Sequence, residues 1–148
     1  MIEVELSRII INERSDQQVI VLKEKAGQRA FPILIGIYEA TAIDRGVKEY
    51  RTPRPLTHDL VCAILRGLEV SLERVVVSDL RSQTFYAKLM LHQDGRAIEV
   101  DSRPSDAIAI ALRTGAPIYV RETLFEAAAS PPRPDEKAPT ADESGREI

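Results

Sequence analysis

Residues 104 to 115 read "PSDAIAIALRTG", and this run limits the fold more than any other part of the chain. Strict alternation would suit a strand, with Ile108, Ile110 and Leu112 on one side and alanine on the other. The alanines decide for a helix, since alanine is the best helix former and a poor strand residue. Ser105 with Asp106 supplies an N-terminal cap and an acidic first turn, Arg113 lies in the last turn, and Gly115 and Pro117 stop the helix. A helix that is apolar around its circumference has to be buried on nearly all sides. The remainder of the chain must therefore wrap it.

The remainder has the means to do so. "IEVELSRIII", "QQVIVLKEK" and "RAFPILIGI" read as strands separated by the polar turns "NERSD" and "KAGQ". "EATAIDRGVKEY" then takes helical character, "RTPRP" breaks the chain, and "THDLVCAILRGL" reads as a second helix. In that helix Thr57 is the expected N-cap, Asp59 lies in the first turn, and Leu60, Val61, Ile64, Leu65 and Leu68 form a wide apolar face. The order then recurs. "VSLERVVVSDL", "TFYAKLMLHQ" and "RAIEVDS" are strands with turns at "SQ" and "QDG"; the buried helix follows, then "APIYV" as a short extended piece and "ETLFEAAA" as a helix. A shift of 67 places Arg29, Ala30, Phe31, Ile33, Glu39, Ala40 and Ile43 over Arg96, Ala97, Ile98, Val100, Asp106, Ala107 and Ile110 without a gap. We read a duplication, with repeats at about 1–68 and 69–130, whose apolar faces are buried together in one α+β domain of residues 1–130.

Composition changes near Ser130. The segment 131–148 holds four of the nine prolines and few apolar side chains, so it is expected to be a disordered, acidic tail. The whole chain carries a net charge of −3, which offers no general attraction to phosphate. Cys62 is the single cysteine, which excludes an intrachain disulfide and fits a reducing, cytoplasmic setting. "MIEVELSRII" has no basic segment followed by an apolar stretch, so no signal peptide is expected, and no apolar run approaches the roughly 20 residues of a membrane span.

Ahead of the buried helix stand Asp101 and Arg103, which cap nothing obvious. Either they form an ion pair bracing the helix end, or they belong to a binding cleft. "RPLTHD" at 54–59 is a partial echo, again placing Arg-Pro before a hydroxyl residue and an aspartate. Together "FPILIGIYEATAI", "RPLTHDL", "FYAKLML" and "DSRPSDAIAIALR" resemble the bifunctional nuclease domain family, in order and spacing, over residues 1 to about 130. The resemblance implies a duplicated three-strand, two-helix fold with a barrel-like sheet and flanking helices. It also implies hydrolysis of both RNA and DNA, with no firmly assigned catalytic residues.

Phosphodiester hydrolysis needs an activated water, stabilisation of charge on the phosphorus oxygens, and help for the leaving oxygen. The candidates are Glu39, Asp59, Asp101 and Asp106 as carboxylates, Arg54 and Arg103 as phosphate clamps, and His58 as acid or base. Glu39 and Asp106 hold matching positions in the duplication, so a Mg²⁺ or Mn²⁺ ion bridging them is an expectation. Each residue also has a plain structural role open to it: His58 as a solvated helix-start residue, Asp59 and Asp106 as partners of the helix dipole, Arg54 as loop decoration. Glu39 lies in apolar company and needs a partner or a role. His92 is expected in solvent and Cys62 in the core, which leaves little support for a zinc site. Of the adjacent Phe85 and Tyr86, at most one could stack a base. With the family resemblance, these residues are read as a metal-assisted nuclease of low sequence preference acting on RNA and DNA, and exposed strand edges, if the barrel is incomplete, would favour a homo-oligomer. The rival reading is a non-catalytic domain that binds a partner or ligand in the same cleft.

Overall fold

Runs of Val, Ile and Leu open each half and form three-stranded antiparallel meanders. The computed structural model describes residues 1–128 and 145–147. Strands β1 (Ile2–Ile10), β2 (Gln18–Glu24) and β3 (Ala30–Ile35) make the first meander, followed by helices α1 (Ile37–Val47) and α2 (Thr57–Gly67). Strands β4 (Ser71–Arg81), β5 (Thr84–Gln93) and β6 (Arg96–Ser102) make the second, followed by α3 (Pro104–Thr114), β7 (Ile118–Val120) and α4 (Glu122–Ala128). The β4–β5 and β5–β6 turns are two residues long, with positive φ at Ser82 and Gln83 and at Asp94 and Gly95. That geometry matches the twist of a hairpin.

The sheet runs β3-β2-β1-β7-β4-β5-β6. β7 lies antiparallel to β1, with Ile2 opposite Val120, and parallel to β4, with Val75 opposite Ile118. Three residues of the expected tail, Gly145–Glu147, form β8 on β1, opposite Arg8 to Ile10. Residues 129–144 and 148, on which the expectation of disorder also falls, lie outside the described residues.

The barrel-like closure expected from the family resemblance is not found. The sheet is open, with β3 and β6 at its ends. Pro32 within β3 supplies the reason: a residue without an N–H is at home on an edge strand, where a ladder runs along one side only.

α3 is the centre of the packing. Pro104, Ser105 and Ala107 to Ala111 are all buried. The helix lies against α1 and α2 on one side and β4 and β5 on the other, as its apolar circumference requires. The helix bounds of α1 and α3 are 67 positions apart at both ends. Gly46 lets α1 approach α3 closely, since an added Cβ would stand 3.2 Å from Leu112 Cβ. Phe31 stacks with Phe85 at 5.7 Å between ring centroids and meets Phe125 edge-on at 5.2 Å. Cys62 is buried, as expected.

Two helix starts differ from the sequence reading. The N-cap of α2 is Leu56, not Thr57, and that of α3 is Arg103, with Ser105 buried inside the helix. Pro104 accounts for the second, because its missing N–H costs nothing at the first helical position. Asp59 accounts for the first: its Oδ2 accepts a hydrogen bond from the Leu56 N–H at 3.0 Å, so the third residue caps the helix in place of Thr57. The apolar face of α2 also divides. Val61, Cys62 and Leu65 join the core, whereas Leu60, Ile64 and Leu68 are exposed along one helical row.

Candidate functional site

The third residue of each long helix is acidic: Glu39 in α1, Asp59 in α2 and Asp106 in α3. A carboxylate there is favoured by the partial positive charge of the helix N-terminus. Two of the three meet across the interface between the halves, together with a histidine and an arginine.

Arg103 precedes a proline, which holds it extended at φ −71°, ψ 146°. From that position its guanidinium reaches over the start of α3. Nε donates to Asp106 Oδ2 at 3.0 Å and Nη1 donates to Glu39 Oε1 at 3.0 Å. The other oxygen of Asp106, Oδ1, lies 2.9 Å from His58 Nε2. An ionised carboxylate only accepts, so Nε2 carries a proton, and in the neutral ring the lone pair is then on Nδ1. The chain of contacts therefore runs Glu39–Arg103–Asp106–His58, and it joins residues 64 and 48 positions apart. The His58 side chain is 17% exposed and that of Arg103 is 64% exposed. The histidine is thus sheltered at the edge of the site, and the arginine faces solvent.

Electrostatics follow the geometry. Burial acts to raise the Asp106 pKa, but the hydrogen bonds from His58 and Arg103 and their charges outweigh it, so the carboxyl sits below its usual range. Asp106 and then Glu39 raise the pKa of Arg103, which stays charged.

Asp59 belongs to a second arrangement. Its Oδ1 accepts from Arg113 Nε at 2.9 Å, while Arg113 Nη1 and Nη2 donate to the carbonyls of Ala109 and Ala42 at 2.8 and 3.0 Å. One guanidinium thereby ties α1, α2 and α3 together. The Leu56 N–H and the Arg113 guanidinium lower the Asp59 pKa against the effect of burial. The sequence reading placed Arg113 only as a last-turn residue. Its signal was available, since an arginine closing a helix as apolar as "DAIAIALR" needs a partner.

Of the seven candidates, Glu39, His58, Arg103 and Asp106 are brought together, and Asp59 lies next to them in the Arg113 bridge. Arg54 and Asp101 stay outside. Arg54 is exposed in the segment before α2, and Asp101 is exposed on β6, opposite Lys88 of β5.

Whether Glu39 and Asp106 suit a divalent ion is answered by their donors. Arg103 already spans the two carboxylates, and among the described residues no group of three His, Cys, Asp or Glu side chains could hold a metal. An added Cβ at Gly36 would collide with Glu39 Oε2, so that oxygen is folded back over the start of α1. The donor set fits a guanidinium. A Mg²⁺ or Mn²⁺ ion would have to take these oxygens from Arg103.

No described helix is long and apolar enough to cross a membrane. The bifunctional nuclease domain matches residues 20–133. An uncharacterized protein of Mycobacterium tuberculosis (strain ATCC 25618 / H37Rv) is 43% identical over 141 residues, covering 94% of this chain and 84% of that protein. Bifunctional nuclease 1 of Oryza sativa subsp. japonica is 25% identical over 118 residues and bifunctional nuclease 2 of the same plant 27%. Each of these matches covers 77% of this chain and 36% of the plant protein.

Proposed function

The chain belongs to the bifunctional nuclease domain family, and from that premise we propose that it is a nuclease hydrolysing phosphodiester bonds of RNA and DNA with low sequence preference. The observation that carries this reading is the contact of His58 with Asp106, extended by Arg103 to Glu39. A carboxylate that fixes the imidazole tautomer leaves the opposite nitrogen to exchange a proton, and the exposed Arg103 beside it keeps its Nη2 donors and its charge for a phosphate oxygen. DNA has no 2′-hydroxyl, so one mechanism for both substrates takes water as the nucleophile. In this reading His58 Nδ1 accepts a proton from water as its oxygen bonds to phosphorus. Arg103 stabilises the charge on the phosphoryl oxygens, and the bond to the leaving oxygen breaks as that oxygen takes up a proton from solvent water, His58 later returning its own proton to solvent. Asp106 and Glu39 hold His58 and Arg103 in position. The action of Mg²⁺ or Mn²⁺ remains part of the proposal only as an ion that competes with Arg103 for Glu39 and Asp106.

The same network supports a second reading. Both oxygens of Asp106 are already engaged, as bracing in a non-catalytic partner-binding domain would require. The two are separated by incubating the purified chain with single-stranded RNA and DNA in Mg²⁺, in Mn²⁺ and in EDTA, alongside His58→Ala and Asp106→Asn. Loss of a positioned acid or base lowers a rate by roughly 10²- to 10⁴-fold, so His58→Ala is expected to lose cleavage while retaining the circular dichroism of the parent. Cleavage unchanged in both variants overturns the site, and no cleavage by the parent favours the bracing reading. A cytoplasmic location and self-association complete the proposal. For the latter, the row Leu60, Ile64, Leu68 is symmetric about Ile64 and would meet itself in a two-fold contact with a second copy.

A further inference from the structure

We propose that Tyr38 stacks a nucleobase beside the Glu39–Arg103–Asp106–His58 network, which makes the substrate an unpaired strand; the inference rests on the nuclease reading and adds its substrate class. The charged network recognises a phosphate and is blind to whether the attached base is paired. A base held near it needs an apolar face. The chain has three Phe and four Tyr. Phe85 and Phe125 both pack on Phe31. Tyr86 lies beneath the Arg81 guanidinium and Tyr119 beneath that of Arg74. Tyr50 is exposed, but it follows the C-terminal end of α1, a helix length from the network.

Tyr38 remains. It is the second residue of α1, directly before Glu39, and 85% exposed. No hydrogen bond or ring contact of its side chain is found among the described residues. Helical spacing sets its direction. Ala40 and Ile43 face the core, which turns Tyr38 away from it. Tyr38 directly precedes Glu39, whose carboxylate receives Arg103, so its exposed ring stands one residue from the network, on the solvent side. Bases within a duplex are already stacked on their neighbours and present no free face, whereas a single strand does.

The test measures binding separately from cleavage. Anisotropy of a fluorescein-labelled oligothymidylate and of a duplex of equal length is read in EDTA for the parent chain, Tyr38→Phe and Tyr38→Ala. A 2-aminopurine base in the single strand reports stacking through quenching of its emission. Stacking on one aromatic ring corresponds to roughly 5- to 150-fold in affinity. Tyr38→Ala is expected to weaken single-strand binding within that range and abolish the quenching; Tyr38→Phe is expected to keep both, and the duplex to bind weakly throughout. Single-strand binding that is indifferent to Tyr38→Ala overturns the stacking role and leaves the nuclease reading intact. Failure of the parent chain to bind either nucleic acid overturns both.

Discussion

Replacing Arg113 with methionine keeps most of the apolar stem and removes the guanidinium that joins three helices. The side chain is 11% exposed and makes hydrogen bonds at 2.9, 2.8 and 3.0 Å. The bond to the Asp59 carboxylate contributes about 1.5–3 kcal/mol, and that to the Ala42 carbonyl about 1 kcal/mol. The Ala109 carbonyl lies inside α3, where the helical ladder already serves it, so its loss adds little. Asp59 is 38% exposed and recovers part of its hydration, which places the total at about 2–3 kcal/mol. With a urea m-value of about 1–3 kcal/mol/M, the midpoint of unfolding should fall by roughly 0.7–3 M at unchanged slope. Asp59→Asn in the Arg113→Met background should cost much less than it does alone, because the pair is already broken. An Arg113→Met midpoint equal to that of the parent would refute the bridge as a holding element of the three helices.

Two other expectations concern acid and assembly. Asp106 and Asp59 have folded-state pKa values below those of the unfolded chain. Their stabilisation is therefore present above the ordinary aspartate value near pH ~4 and is lost as pH falls through the lower folded values. The melting temperature should drop on acidification below that point, less steeply in Asp106→Asn than in the parent; equal slopes would contradict the assignment. In light scattering the parent chain is expected to be a dimer that Ile64→Lys converts to a monomer, and a monomeric parent would refute the role given to the outer row of α2.

Most elements were legible because their patterns are local. "RAIEVDS" corresponds to β6 residue for residue, the Asp-Gly turn marks the second hairpin, and the alanine-rich run yields the buried α3. Alpha1 starts earlier than "EATAIDRGVKEY" implies, because Gly36 offers no side-chain cap to mark the boundary. Closure of the sheet is a property of strands far apart in sequence, and periodicity says nothing about it, although Pro32 was in plain view. The pairing of Glu39 with Asp106 was accessible through the 67-residue shift. Arg103 as the group between them was not, since a shift identifies equivalent positions and is silent on what fills the space between them. The division of α2 into inner and outer rows depends on where α3 lies, which the sequence of α2 does not contain.

β7 is three residues long, yet it is the strand through which the two meanders become one sheet. Its partner Ile2 lies far ahead of Val120 in sequence, so β1 is synthesised well before the strand that completes its edge. Until then β1, with three Ile, and β4, with three Val, each present an unsatisfied edge, the kind of edge that recruits strands from other chains. Joining ends so far apart in sequence also costs closure entropy before any contact rewards it, which slows the final step. The nascent protein is consequently most vulnerable to aggregation in the interval before β7 is made.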